Sequence, residues 1–278
     1  MIIPKRMLPE SEAYPRCRFS SLNLDLKLAA IVTIAVGISE PYNLCLDDSR
    51  HAYAERFAGV GYCVYVKQPV PTLAYGFNKL VAVMNTFGTF PELKHVLYLD
   101  ADALIVNMDI SILDIAQRYA AADIVFASEE FVNREKEAAM LSKTLGFPKS
   151  EIAKYPIQGG AMMFKNSART AWLAEVAFRE GRQWSLDFAH LSDRAAWIKT
   201  AIRNPDVFKR HVMILDPGVL ESTTRDHNVS TPALALHAGG GGAFGFLTAI
   251  GLGGTGSKYA YLYQLCRKLY YPITPLFF

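Results

Sequence analysis

Two carboxylates stand one residue apart, at Asp100 and Asp102, directly behind the apolar run His95–Leu99. An apolar strand that ends in acidic residues delivers them to the carboxyl edge of an α/β sheet, where open sheets hold their ligands. In an extended segment, side chains two residues apart point to the same side. Two close carboxylates repel each other unless a cation lies between them. Their oxygens are hard donors, so the cation expected is Mg²⁺ or Mn²⁺. The plainer reading is an acidic turn after a strand, with Asp102 as a cap.

The elements that must position this pair follow from the hydrophobic pattern. Apolar strands are expected at Lys27–Val36, Gly61–Val66 and His95–Leu99. Helices are expected between them at Asp48–Phe57, with an acidic start, and at Tyr75–Thr86, where Phe77, Leu80, Val81 and Met84 recur at helical spacing. Further strands are read at Asp123–Ala127, Gly160–Phe164, Val212–Leu215 and Ala233–Leu236. Further helices are read at Ile112–Tyr119, Glu129–Leu145, Ala168–Glu180 and Ser192–Ile202. Strands that alternate with helices specify an α/β fold with helices on the faces of a central sheet.

Composition excludes other classes. The chain has 278 residues, 29 Lys+Arg, 26 Asp+Glu and a net charge of +3, with 51% hydrophobic residues. Disorder needs less apolar content and more net charge. A nucleic-acid binder needs a strong basic field, which a net +3 over this length does not supply. The four cysteines, Cys17, Cys45, Cys63 and Cys266, show neither metal-ligand spacing nor a disulfide framework, and read as mostly buried free thiols. The N-terminal stretch carries charges and prolines where a signal peptide is apolar. From Pro232 to Ser257 there is no formal charge, so a membrane span is one reading; its glycines favour a strand followed by a loop.

The segment from Asp100 to Asn107, followed by Asp109-Ile110-Ser111-Ile112, resembles the DxD segment of the GT-A glycosyltransferases. In particular it is similar to the α-galactosyl/mannosyl/xylosyl transferases of glycosyltransferase family 34. Tyr53-Ala54 and Gly61-Tyr62 resemble that family's "YA…GY", and Asn78-Lys79-Leu80 its "W-x-K-x-x-x-L" helix. The stretch from Gln158 to Ser167 resembles "N-T-G-x-F-L-I-R-N-S", and His237-Ala238-Gly239-Gly240 the closing "H-x-x-G". The resemblance runs from about Lys27 to Gly240. Glycosyltransferase family 8, with "YLDAD" and "NAGV", is a near second of the same fold. The fold implied is a Rossmann-like nucleotide-diphospho-sugar transferase with a mixed central sheet.

The resemblance implies a donor that is a nucleoside diphosphate sugar, a UDP-sugar ahead of GDP-mannose. A divalent cation on its two phosphates stabilises the departing charge as a Lewis acid. Asp102 would ligate it, Asp100 directly or through water, and His237 as the third ligand; the mixed oxygen and imidazole set favours Mn²⁺ over Mg²⁺. A histidine that ends an apolar strand is otherwise a hydrogen-bonded core residue. Ala101, Gly159, Gly160 and Gly239 would let the backbone approach the donor, and Gly37 joins them by position at the end of the first strand. Lys79 and Lys258 could oppose the diphosphate, although most lysines are simply solvated. Gln158 could bond the donor sugar or merely enter a strand. Asp193 and Arg194 align with "D-Q-x-A-L", so Arg194 replaces the family glutamine near the reacting sugar. Asp193 binds sugar hydroxyls or caps its helix.

Transfer to a glycan or other hydroxyl acceptor, with retention, is the leading expectation, and no nucleophile stands out for a covalent route. Alternatives are a catalytically silent nucleotide-sugar binder and a haloacid-dehalogenase-type phosphohydrolase using the same two aspartates. The boundaries expected are an extension at 1–26, the transferase domain at 27–240 and a Gly-rich tail at 241–278 that packs on it and contacts a membrane surface peripherally. No nucleic-acid partner is expected. The compartment stays open: cytoplasmic for a complete chain, Golgi lumen for one whose N-terminal anchor was removed.

Overall fold

The computed structural model describes residues 8–23, 25–36, 40–128, 131–181, 192–216, 218–223 and 234–237. Arg16–Phe19 forms β1 and Ala29–Ile34 forms β2. Every residue of β2 is buried. Ala30, Val32 and Ile34 enter the core on one face of the sheet, Ala29 and Ile31 the core on the other. Burial on both faces is the reason this strand reads as an unbroken apolar run.

Next come α1 (Glu40–Arg56), β3 (Val60–Tyr65), α2 (Tyr75–Thr89) and β4 (His95–Leu99). β2 lies between β3 and β4 and runs parallel to both. Helix α1 begins at Glu40 rather than at Asp48. Pro41 is tolerated in a first turn, and Asp47 sits inside the helix and accepts a hydrogen bond from the Tyr62 hydroxyl.

The chain continues through β5 (Ala103–Ile105), α3 (Ile112–Arg118), β6 (Ile124–Ser128), α4 (Phe131–Leu145), α5 (Lys149–Ile152) and β7 (Ile157–Lys165). It ends with α6 (Ala168–Gly181), α7 (Ser192–Arg203), α8 (Pro205–His211), β8 (Val212–Leu215), β9 (Glu221–Thr223) and β10 (Ala235–His237). The main sheet has the order β1-β3-β2-β4-β7-β6-β8. β7 is antiparallel to both its neighbours, which makes the sheet mixed. A second, three-stranded sheet has the order β5-β10-β9. Among the described residues, no helix is long and apolar enough to cross a membrane.

β1, within the stretch 1–26, pairs antiparallel with β3. Two further findings differ from the sequence reading. Cys17 and Cys63, expected as free thiols, face each other across that pair and form a disulfide. Their 46-residue separation hid the pairing, because only strand register brings them together. The aspartates do not sit in an extended segment: Asp100 to Ala103 form a tight turn closed by the Ala103 N–H to the Asp100 carbonyl at 3.0 Å. The chain must leave one sheet and enter the other here, and a straight strand cannot do that.

Candidate active site

β4 ends at Leu99, and the Asp100 N–H is held by the Gly160 carbonyl of β7 at 2.8 Å. Facing β6, β7 carries three extra residues, since Phe126 pairs with Met162 but Ala127 with Gln158. This bulge turns Gly159 toward α2. Bulges re-aim residues beside functional sites. The Gly159 carbonyl accepts from the Lys79 ammonium at 2.9 Å.

Lys79 projects from α2 and is only 6% exposed. A buried ammonium must be paired. Its Nζ lies 3.0 Å from Asp100 Oδ1 and 3.2 Å from Oδ2 of Asp193, which is itself 7% exposed on the first turn of α7. The Tyr98 ring lies 5.5 Å from the same ammonium. Strand β4, helices α2 and α7 and the β7 bulge therefore converge on one cation. Asp102 is half-buried in the adjoining turn.

Glycine at 159 fits closely, because a Cβ there would lie 3.0 Å from Asp193 Oδ2 and push against it. Gln158 is half-buried, and its Oε1 accepts from the Gly159 N–H at 2.7 Å. Arg194 is half-buried beside Asp193, and Ala101 is buried within the turn.

β10 runs antiparallel to β5 with the backbone of His237 opposite Ala103, the residue after Asp102. The His237 side chain lies outside the described residues, as do Gly37, Gly239 and Lys258. Among the described residues, no three His, Cys, Asp or Glu side chains form a metal-binding group. The turn nonetheless fits a divalent cation by donor chemistry, with two carboxylates one residue apart and a histidine backbone brought alongside.

Sequence reasoning missed the supports of this turn. Arg50 of α1 is fully buried and donates to the carbonyls of Asp100, Ala101 and Ala103. The Tyr53 hydroxyl donates to the Ile110 carbonyl at 2.8 Å and accepts from the Ile112 N–H at 2.7 Å, which fixes the segment after β5. Burial pushes that phenol well above its ordinary range. Tyr53 had entered only as part of the Tyr53-Ala54 motif, and no amphipathic pattern in α1 marks Arg50.

Residues 39–230 match the model of the galactosyl transferase GMA12/MNN10 family. The chain belongs to that family. It is thus a glycosyltransferase of glycosyltransferase family 34, as its motifs implied, and the phosphohydrolase reading is set aside. Two solved structures support the GT-A fold of this family member. One is a glycosyltransferase involved in the glycosylation of the major capsid of PBCV-1, with TM-score 0.56 and 13% identity, covering 85% of this chain and 99% of that one. The other is the galactosyltransferase LgtC in complex with donor and acceptor sugar analogs, with TM-score 0.50 and 15% identity, covering 88% and 97%. No curated protein matches the chain in sequence.

Proposed function

We propose that this glycosyltransferase uses a nucleoside diphosphate sugar, a UDP-sugar ahead of GDP-mannose, and transfers the sugar with retention to a glycan or other hydroxyl acceptor. The observation that supports this reading most is the convergence of Asp100, Asp193 and the Gly159 carbonyl on Lys79 beside the Asp100–Ala103 turn. A divalent cation, Mn²⁺ ahead of Mg²⁺, would be held by Asp100, Asp102 and His237 and would neutralise charge on the leaving diphosphate.

The chain's own residues do the rest. Asp193 and Gln158 orient sugar hydroxyls at the bulge, where glycines 159 and 160 let the backbone approach the donor. Lys79 fixes Asp100 and Asp193 relative to each other, so the donor meets a preorganised surface. Lys79 thus acts through its carboxylate partners instead of standing free against the diphosphate. Arg194 sits next to Asp193 and offers a positive group to a phosphate or an acceptor.

The deciding experiment titrates purified protein with UDP- and GDP-sugars, with and without Mn²⁺, and follows melting temperature and release of nucleoside diphosphate. Mn²⁺-dependent stabilisation by one donor with turnover, both lost in Asp102→Ala, is expected. Stabilisation without turnover would make the chain a silent binder. No response to any donor would sink the reading. We also infer an oxidising compartment such as the Golgi lumen, since disulfides like Cys17–Cys63 persist there. Two free thiols at these positions in the protein taken from its cell would overturn that.

A further inference from the structure

The geometry points to Arg50 as a positioning residue for transfer, one that sets the conformation of the turn bearing Asp100 and Asp102; its link to catalysis rests on the function proposed above. One atom, Nη2, lies 3.0 Å from the Asp100 carbonyl, 3.1 Å from that of Ala101 and 2.7 Å from that of Ala103. Two hydrogens are shared among three acceptors, so all three carbonyls are drawn to one point. The turn's own bond, Ala103 N–H to Asp100 carbonyl, closes the same ring from inside.

Arg50 is not engaged as an ordinary buried ion. Among the described residues it has no carboxylate partner, and its Nε and Nη1 lack hydrogen-bond partners. The Tyr62 ring stands 5.9 Å from the guanidinium, and the Tyr62 hydroxyl is tied in turn to Asp47. A fully buried guanidinium is costly to desolvate. Here it is spent on three carbonyls of one turn, directly beneath the candidate ligands. Without it, the Ala101 and Ala103 carbonyls lose this donor and the Asp100 carbonyl keeps only the Ala103 N–H, so the turn must reorganise. Residues that support metal ligands in this way change metal affinity by about 10- to 100-fold when removed.

The test uses the full chain with Arg50→Met and Arg50→Lys, and Leu141→Ala in α4 as a destabilising core control away from the site. Two readouts need no donor: hydrogen exchange of residues 97–107 in metal-free protein, and the affinity for Mn²⁺ alone, read from the free-ion resonance signal. Arg50→Met is expected to lose amide protection across Ala103–Ile105 and about 10-fold or more in Mn²⁺ affinity. Arg50→Lys, which keeps the charge but not the planar fork, falls between. The control keeps both. In turnover, the apparent KM for Mn²⁺ rises while the KM for acceptor holds. Wild-type protection and affinity in Arg50→Met, or equal losses in the control, overturn the assignment. If Arg50→Met does not fold, Arg50→Lys decides alone. If the wild type binds no Mn²⁺, the metal reading fails, and the exchange of 97–107 still decides what Arg50 does.

Discussion

Removing the Lys79 ammonium leaves buried Asp193 and half-buried Asp100 without the cation that both contact. Breaking a buried pair by deleting one partner costs about 3–5 kcal/mol. Lys79→Met is therefore expected to lower the urea midpoint strongly. Nucleoside diphosphate release should fall by about 100-fold even where the variant is fully folded, because its carboxylates are displaced. Gly159→Ala brings a methyl within 3.0 Å of Asp193 Oδ2. Overpacking of this kind costs about 1–3 kcal/mol, and about tenfold in kcat/KM follows if the strain falls on the transition state. Steady-state kinetics beside a thermal melt separate the two losses. Asp100 and Asp102 were legible as acids behind an apolar strand. The contacts of Asp193 were not, because its partner lies on α2, far away in the chain.

The strands and helices that carry these residues were read with uneven success, and the pattern has a cause. β2, β4, α2 and α7 are long enough for their periodicity to be plain. β5 and β9 have three residues each, and their identity comes from pairing with β10, whose apolar run was read at Ala233–Leu236. β1 is similar: its burial alternates between exposed and half-buried, and β3 is what makes it a strand. The Cys17–Cys63 bridge ties this edge strand to the sheet. A loop of that length is worth about 4 kcal/mol of unfolded-state entropy. Reduction, or Cys17→Ser with Cys63→Ala, is expected to lower unfolding free energy by about 2–4 kcal/mol. Urea denaturation with and without reductant checks this; no shift would mean that β1 docks by packing alone.

Taken as a whole, the molecule is expected to lose stability on acidification. His95 and His51 are both held below their ordinary value of 6.5, chiefly because burial disfavours the imidazolium. The unfolded chain takes up a proton near pH 6.5 while the folded chain does not. Their contribution is thus complete above 6.5 and declines as pH falls below it. His95→Gln should flatten the dependence of the urea midpoint on pH below about 6.5, and an unchanged slope would refute the assignment. Hydrophobic period and an acid-tipped apolar strand were sufficient to specify an α/β sheet, its carboxyl edge and the two aspartates, since these are local patterns. The turn at Asp100–Ala103, the disulfide, the cluster around Lys79 and the Arg50 contacts depend on register and on chain segments remote in sequence. Such contacts exist only once burial has chosen which face of each element meets which neighbour, so tertiary packing alone decided them.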